Sequence, residues 1–293
     1  MSLRSRNRII NMDARELHTG DPGYPARLAA LADPPTPLWI RGDWTPARRA
    51  VALVGARAAT SHGLETAREL GSRLAAAGVD VISGGALGVD AAAHRGALDQ
   101  SDRSRAGRTV AVLGTGVDVA YPERNAAMFD EIVASGGALV TQFAPGAAPR
   151  KQSFPIRNAV IAGLADVVVV VEAQPASGTV HTVRAMRSLG RPVAALPGSH
   201  GTDALVVGGA AMAIGGADDV LAILDGRKPA PPPLPEDPLA AKIYAALDDV
   251  PRDVGELAFR AGLSVGTCAA MVVDLELGGL AARAAGGRYL RLR

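Results

Sequence analysis

Six short loops combine glycine with hydroxyl or cationic side chains, and each follows a short apolar run. Three of them are Gly55–Ala56–Arg57, Ser83–Gly84 and Ser177–Gly178–Thr179. Glycine allows a ligand to approach the backbone closely, and hydroxyl and backbone N–H groups hydrogen-bond to phosphate. Gathered at one edge of a sheet, such loops form an anion-binding rim. The alternative is that the glycines serve only the turns of a parallel sheet. That requirement can explain the glycine of any one loop, but it does not explain why six loops also carry hydroxyl or cationic side chains.

One aromatic residue stands out because it lies in a polar segment. Phe154 follows Arg150 and Lys151 in a stretch bounded by Pro149 and Pro155, and the chain has only four phenylalanines. A ring placed beside phosphate-binding cations is suited to stacking on an unpaired nucleobase. The alternative is that the ring packs against the sheet edge and holds the loop in place.

Familiar catalytic and cofactor motifs are missing from the sequence. There is no Gly-Lys-Ser/Thr of a Walker loop and no Gly-x-Ser-x-Gly of a hydrolase, and Gly114-x-Gly116 has Val119 where a dinucleotide fingerprint needs glycine. Asp90 and His94 are spaced to share one helix face, but no third metal ligand accompanies them, which favours a capping or buried hydrogen bond. We therefore expect no catalytic residue, no cofactor and no metal.

The elements that must position these loops alternate along the chain. From Val51 onward, short β-branched runs are followed by glycine turns and by segments of helical apolar spacing, which predicts an α/β fold with a parallel sheet. Ligands of such sheets lie beyond the carboxyl ends of the strands, where the loops described above would sit. The predicted strands are Val51–Val54, Val79–Ser83, Thr109–Gly114, Ala138–Gln142, Val167–Glu172, Val193–Pro197 and, more weakly, Ala211–Ile214.

Composition shifts divide the chain into four predicted regions. Residues 1–50 form an irregular arm packed on the core, 51–225 form a Rossmann-like core, and 226–238 form a linker with five prolines between Pro229 and Pro235. Residues 239–293 contain helical patterns over Leu239–Leu247, Val254–Ala261 and Val265–Leu277, followed by two apolar segments around Gly286–Gly287. Three helices and a hairpin predict a winged-helix domain, whose terminal arginines could contact phosphate or be solvated.

Charge and cysteine content limit the classes of partner and compartment. The net charge is +2, and residues 51–225 hold 14 Lys and Arg against 16 Asp and Glu. A polyanion must therefore bind a local pocket, because the core has no excess of basic residues to form a broad basic face. The single cysteine, Cys268, excludes an intramolecular disulfide and indicates a reducing cytosol. The longest apolar stretch, Ala159–Val171, is interrupted by Asp166, so no membrane role is expected.

A set of motifs, in order from about Tyr24 to Leu224, resembles the bacterial DNA-processing protein A (DprA/Smf) family. The motifs are Gly55–Ala56–Arg57, Ser83–Gly84 with Gly88–His94, Val112–Gly116 with Tyr121–Pro122, Phe154–Asn158, Ser177–Thr179, Gly190–Pro192 and Pro197–Thr202. The resemblance implies a cytosolic homodimer that binds single-stranded DNA without catalysis. It also implies delivery of that DNA to a RecA-type recombinase during natural transformation in competent cells, and a C-terminal winged helix that contacts duplex DNA or protein.

The resemblance also assigns site residues. Arg57 matches a phosphate-holding loop, Lys151 the cation before the Phe-Pro pair, and Phe154 a base-contacting aromatic residue. The chain departs from the family pattern at Ala159, where an arginine is usual, and this puts one DNA contact in doubt. The remaining predicted DNA-binding residues are Gly55, Ser83, Gly84, Arg157, Asn158, Ser177, Gly178 and Thr179.

Two other functions remain open. The core also looks like the phosphoribohydrolases of the lysine-decarboxylase-like type, although the segment from Pro175 to Thr179 lacks their paired glycines and the glutamate that follows. Release of free base from nucleoside monophosphates would favour this nucleotide-hydrolysing enzyme. A small-nucleotide sensor with a winged helix that reads duplex DNA is a further alternative, and it would bind a mononucleotide as tightly as a longer strand.

Overall fold

The computed structural model describes residues 14–43, 45, 49–100, 106–175, 177–229 and 235–292. The chain divides into two compact units: Met1–Val171 with Ala176–Val193, and Glu172–Pro175 with Ala194–Arg293. Part of the predicted linker, residues 230–234, lies outside the described residues. The four predicted regions therefore stay a prediction.

A mostly parallel sheet forms the centre of the first unit, which confirms the predicted α/β class. Its strands run in the order β1-β2-β6-β5-β4-β3-β7. Strands β3 to β7 pair in parallel and are fully buried, because helices cover the valine-rich runs. The strands are β1 (Ala14–Leu17), β2 (Leu38–Arg41), β3 (Ala50–Val54), β4 (Asp80–Ser83), β5 (Thr109–Val112), β6 (Ala138–Thr141) and β7 (Val167–Val170).

The sheet order reverses at β3, which has β4 on one side and β7 on the other. This is the topological switch point, where α/β sheets bind ligands. The α-helices found in the described part of this unit are α1 (Ala26–Ala29), α2 (Ser61–Ala76), α3 (Val89–Leu98), α4 (Ala126–Ala134), α5 (Ser153–Leu164) and α6 (Thr179–Ser188). Each predicted strand from β3 to β7 agrees with the structure to within two residues at either end.

The N-terminal arm is more regular than the sequence predicts. Strand β2 pairs antiparallel with β6, with Ile40 opposite Val140, and β1 pairs antiparallel with β2. Leu38 and Ile40 are buried, whereas Trp39 between them is partly exposed, so the strand has the alternation of an antiparallel pair. The expectation of an irregular arm is wrong because this four-residue pattern follows a proline-rich stretch and is too short to recognise.

The second unit contains two parallel strands and a winged-helix domain. Strand β8 (Val193–Ala195) pairs with β9 (Met212–Ala213) through Ala194 and Ala195, and helices α7 (His200–Val207) and α8 (Ala217–Leu224) accompany them. The winged-helix domain has helices α9 (Pro238–Ala246), α10 (Val254–Ala261) and α11 (Val265–Leu277), and an antiparallel hairpin of β10 (Ala281–Ala284) and β11 (Arg288–Arg291). Its predicted helices and hairpin are confirmed, with Ile243, Leu257 and Val272 fully buried at the centre.

Within the described ranges, no individual helix has both the length and the apolar character needed to cross a membrane. Helices α10 and α11 meet that criterion only when taken together, and they are bent by 103° relative to each other.

Two glycines allow α2 and α3 to approach closely. A Cβ atom on Gly96 would lie 1.9 Å from the Arg68 carbonyl oxygen, and one on Gly71 would lie 2.2 Å from that of Ala93. Because closely packed helices cannot absorb an added methyl group without moving apart, these contacts fix the distance between the two helices.

We expect Gly96→Ala to lower the free energy of unfolding by about 1–3 kcal/mol, since the methyl group would collide with backbone. Gly266→Ala is the matched control, because Gly266 also lies in a helix but its added Cβ has only Ser264 Oγ nearby, at 4.0 Å. Gly266→Ala should leave the free energy of unfolding unchanged or raise it by up to about 1 kcal/mol, because alanine favours the helix more than glycine does. Urea denaturation would measure both, and a Gly96→Ala protein as stable as the parent would contradict the packing argument.

Candidate nucleic-acid interface

A cavity of about 440 Å³ opens at the switch point, between the end of β3 and the start of α6. We call it the switch-point cavity; its volume lies in the range of pockets that hold small ligands. Its wall includes Gly55, Arg57, Phe154, Asn158, Gly178 and His181. The structure therefore brings together the loop after β3, the first turn of α5 and the N-terminus of α6, as the sequence predicts.

The N-terminus of α6 forms one wall of this cavity. Its N-cap residue, Gly178, has no side chain to cap the helix, and the hydroxyl groups of Ser177 and Thr179 lie 2.5 Å apart beside it. Asn158 Nδ2 donates a hydrogen bond of 3.3 Å to the Gly178 carbonyl, which ties α5 to this turn. An uncapped helix N-terminus with adjacent hydroxyl groups favours an anion such as phosphate.

Phe154 and Arg57 form the opposite wall. The Arg57 guanidinium carbon lies 5.3 Å from the centre of the Phe154 ring, a cation–π geometry that leaves Arg57 exposed. A Cβ on Gly114 would lie 2.8 Å from Phe154 Cδ1, so the ring occupies the space that a side chain at position 114 would need. Phe154 is thus held against the Gly114 backbone and also borders the cavity. Its stacking on a base stays a prediction.

The segment around Phe154 is helical, which corrects the expectation of a polar loop. Helix α5 begins at Ser153, and Pro155 lies in its first turn, where a missing backbone N–H costs no intrahelical hydrogen bond. Lys151 precedes the helix, is exposed, and does not belong to the wall of the switch-point cavity. Its predicted phosphate contact would lie outside that cavity and stays a prediction.

Arg157 belongs to the wall of the cavity and is largely buried, with 5% of its surface exposed. Its Nη1 donates hydrogen bonds to the Gly84 carbonyl at 2.5 Å and to the Val112 carbonyl at 2.6 Å. Asp90 accepts hydrogen bonds from the backbone N–H groups of Gly84 and Ala86 at 3.1 and 3.3 Å. We call Arg157, Asp90, Gly84 and Val112 the Arg157 cluster, and it joins the ends of β4 and β5 to helices α3 and α5.

Burial shifts the pKa values of both charged groups in this cluster. Desolvation lowers the pKa of Arg157 to about 10, partly offset by the charge of Asp90, so the guanidinium remains protonated at neutral pH. Burial also raises the pKa of the Asp90 carboxyl, and the positive charge of Arg157 opposes that shift. The opposite charges stabilise each other in a site where either one alone would be costly.

Two other predicted contact residues, Ser83 and Gly84, are buried next to Arg157 and do not belong to the wall of the switch-point cavity. Ser83 is fully buried and donates to the Leu53 carbonyl at 2.6 Å, and a Cβ on Gly84 would lie 1.9 Å from Arg157 Nη1. These residues shape the loops from beneath. Their direct contact with a DNA strand stays a prediction. The predicted residues that line the cavity are Gly55, Arg57, Phe154, Arg157, Asn158, Ser177, Gly178 and Thr179.

Sequence reasoning missed His181 and Thr182 as part of the cavity wall and Tyr121 as a neighbour of Phe154. His181 and Thr182 lie in the first turn of α6, within three residues of Thr179, so helical spacing alone would have added them. Tyr121 stands out in the sequence only as part of a family motif. Its ring centre lies 5.6 Å from that of Phe154, a proximity between distant loops that no local pattern reveals.

Asp90 and His94 act in buried hydrogen bonds. Thr109 Oγ1 donates to the Val81 carbonyl at 3.1 Å and is therefore the acceptor for His94 Nδ1–H at 2.7 Å. His94 Nε2 is buried with no hydrogen-bond partner among the described residues. In the same part of the chain, no group of three or more His, Cys, Asp or Glu residues is placed to hold a metal ion.

The C-terminal arginines pack within the winged-helix domain. Arg283 lies over the Tyr289 ring and 3.5 Å from Glu276, and the Arg291 guanidinium carbon lies 4.7 Å from the Tyr244 ring centre. Arg288 is exposed, whereas Arg293 lies outside the described residues. Helix α11, the third helix of the domain, contains no lysine or arginine and exposes Val265, Val273 and Leu277.

Two family models match the chain, one over the sheet-containing region and one over the winged-helix region. A family model for DNA recombination-mediator protein A matches residues 15–225, and a DprA winged helix domain model matches residues 227–287. Protein Smf of Synechocystis is 32% identical over 92% of this chain and 78% of its own length. A putative DNA processing protein DprA of Mycobacterium tuberculosis is 44% identical over 60% of this chain, which spans 44% of that relative.

Solved structures agree with this placement. A structure described as showing the unique single-stranded DNA binding mode of DNA processing protein A from Helicobacter pylori is 28% identical, with a TM-score of 0.64, and covers 73% of this chain and 96% of its own. The X-ray structure of DprA from Streptococcus pneumoniae is 32% identical, with a TM-score of 0.62, over 72% of this chain and 74% of its own.

The buried His94 predicts a pH dependence of stability. Desolvation and the charge of Arg157 lower its pKa from 6.5 to about 3 in the folded protein. Below pH 6.5 the unfolded chain therefore binds a proton at His94, whereas the folded chain binds it only near pH 3. The contribution of neutral His94 to the free energy of unfolding is fully present above pH 6.5 and is lost as the pH falls below that value. We expect a loss of about 2 kcal/mol from this group by pH 5.

Urea denaturation of the parent and of His94→Gln at pH 7.5 and pH 5 measures this contribution as a difference. Asp90 is present in both proteins, so its own titration does not enter the comparison. His62→Gln, at an exposed histidine in α2, is the control and should keep the pH dependence of the parent. Equal pH dependence of the parent and His94→Gln would show that His94 is not the titrating group.

Proposed function

The chain belongs to the DNA recombination-mediator protein A family, and we propose that it binds single-stranded DNA at the switch-point cavity and loads it onto a RecA-type recombinase. The proposal extends to natural transformation, in which incoming single strands need protection. The observation that carries it is the juxtaposition of Arg57, Phe154 and the uncapped N-terminus of α6 around one cavity. Together they supply a cation, an aromatic face and N–H donors for a phosphate and its base.

Local charge supports this assignment better than overall charge does. The core region is slightly acidic, so attraction of a polyanion depends on a few groups at the carboxyl edge of the sheet. Arg57 is exposed at that edge, and the α6 N-terminus adds a partial positive charge. The site therefore suits one strand crossing the rim, whereas a duplex would need a broad basic face.

We propose that the protein binds DNA without a catalytic reaction. Asp90 is the carboxylate that the described residues place in the wall of the cavity, and its oxygen already accepts two backbone N–H bonds beside Arg157. A carboxylate committed to holding a loop is poorly placed to act as a base or nucleophile. This argument weighs against the nucleotide-hydrolysing alternative, as does the sequence after Thr179, which lacks the expected glutamate.

We also expect the homodimer, the recombinase contact and the cytosolic location that the family resemblance implies. For the C-terminal domain, the choice lies between duplex DNA and protein. A recognition helix that binds a duplex needs cations for the phosphates, and α11 has none. Its exposed valines and leucine favour a protein contact for the winged helix.

A titration with three ligands separates the candidate functions. We expect oligothymidylate to bind more tightly than a duplex of equal length and than thymidine monophosphate, because several contacts add along a strand. Fluorescence anisotropy would measure the strands, and calorimetry the mononucleotide. Release of free base would establish the hydrolase instead, and equal affinity for mononucleotide and strand would establish the sensor.

The contributions of charge and stacking predict different responses to salt. Binding of a single strand should weaken with a log–log salt slope of about −0.7 per contacted phosphate. Arg57→Ala and Lys151→Ala should each flatten that slope by roughly one contact, whereas Phe154→Ala should cost about 1–3 kcal/mol and leave the slope unchanged. Titrations of oligothymidylate at several salt concentrations measure both quantities.

Two controls isolate the site from general effects. Arg187→Ala removes an exposed cation from the last turn of α6, at the far end of that helix from the cavity, and should leave affinity and slope unaltered. Phe154→Leu keeps an apolar side chain against Gly114 without an aromatic face, and it should bind as weakly as Phe154→Ala while melting like the parent. If Arg57→Ala, Lys151→Ala and Phe154→Ala all bind oligothymidylate like the parent, the proposed location of the DNA-binding site is wrong.

A further inference from the structure

Tyr121 is an aromatic residue exposed on the same rim as Phe154. It follows β5, and 42% of its surface is accessible. Its ring centre lies 5.6 Å from that of Phe154, with the two ring planes inclined by 36°. The two rings are therefore in contact, and much of Tyr121 remains open to solvent.

Phe154 separates two depressions of different size. On one side lies the switch-point cavity of about 440 Å³, and on the other lies a hollow of about 70 Å³. We call the smaller one the Tyr121 hollow; Leu87, Gly114, Tyr121 and Pro122 line one part of it, and Arg57, Phe154 and Arg157 also border it. Both Phe154 and Arg57 border the two depressions, so a ligand in one is next to a ligand in the other.

The linings of the two depressions suit different parts of a nucleotide chain. The switch-point cavity is large enough for a whole nucleotide and carries the N–H and hydroxyl groups of α6. The Tyr121 hollow is too small for that, and its Leu87, Pro122 and tyrosine side chains offer apolar surface. A shallow apolar hollow beside an exposed ring accepts the flat face of a base.

We propose that Tyr121 forms a second base-stacking subsite for single-stranded DNA, next to the switch-point cavity and separated from it by Phe154. This inference rests on the proposed function. It specifies that the site binds two successive nucleotides of an unpaired strand. One nucleotide occupies the cavity, its neighbour stacks on Tyr121, and Arg57 borders both positions where it can neutralise the phosphate that links them.

This arrangement also accounts for selection against duplex DNA. In a duplex, both faces of each base are covered by the adjacent base pairs, so neither ring can stack on them. A single strand can separate its bases at little cost, and stacking on a side chain tolerates every base because each has a π-face. The subsite would therefore recognise the unpaired state of the strand and not its sequence.

The test compares mononucleotide and strand binding in three variants of Tyr121. We expect Tyr121→Ala and Tyr121→Leu to weaken oligothymidylate binding by about 5- to 150-fold, the equivalent of 1–3 kcal/mol per stacked base. Both variants should bind thymidine monophosphate within about twofold of the parent, because that ligand fills the cavity alone. Tyr121→Phe keeps the ring and should bind both ligands like the parent. Phe259→Ala, at an aromatic residue 87% exposed on α10, is the control for a lost surface ring.

Each outcome has a defined meaning, provided that the variants melt like the parent. If Tyr121→Ala and Tyr121→Leu bind oligothymidylate like the parent, the second subsite is excluded and the proposed function stands. If they lose mononucleotide and strand binding equally, Tyr121 only supports Phe154, and the second subsite is again excluded. If the parent itself binds no oligothymidylate, the proposed function fails, which is a separate result from failure of the subsite.

Discussion

The buried guanidinium of Arg157 constrains the whole carboxyl edge of the sheet. A charge removed from water must be paired and hydrogen-bonded. The buried Nε of Arg157 has no hydrogen-bond partner among the described residues, but Nη1 donates to the carbonyls of Gly84 and Val112 and Asp90 supplies a nearby opposite charge. Those partners belong to the loop after β4, the end of β5 and the first turn of α3. The chain cannot bury Arg157 without bringing these elements together, so the loops that line the cavity are positioned before any ligand arrives.

Preorganisation of this kind would allow a slightly acidic core to bind the proposed polyanion. The residues that would contact DNA, Arg57 and Phe154, lie on segments with fixed neighbours. The Ala56 carbonyl beside Arg57 accepts a hydrogen bond from Val89 N–H at the start of α3, and the Phe154 ring packs against Gly114. Little conformational entropy is then lost on binding, and a few charges at the rim suffice where a mobile surface would need many. The residues proposed to contact DNA, Arg57 and Phe154, are therefore different from the buried residues that fix the positions of the loops.

The sequence predicts the elements better than it predicts the contacts between them. Strands β3 to β7 and helices α10 and α11 are recognisable because valine runs and helical apolar spacing are local signals. The start of α5 is obscured by Pro149 and Pro155, whose composition is typical of a loop. The sequence predicts Arg157 as a DNA contact but does not reveal its burial, because that burial depends on β4 and β5 ending side by side. The contact of Tyr121 with Phe154 joins loops 33 residues apart in sequence. Such relations arise only from the tertiary fold.

Gly84 and Gly114 are each matched to one large side chain, the first to Arg157 and the second to Phe154. In both cases the partner fills the volume in which a Cβ atom would lie, so the glycine cannot gain a side chain while its partner stays in place. During divergence, an alanine at position 114 would become acceptable only after position 154 had lost its ring, and with it the proposed stacking surface. The two glycines therefore restrict which sequences are accessible from this one, and they couple the history of the backbone turns to that of the ligand contacts.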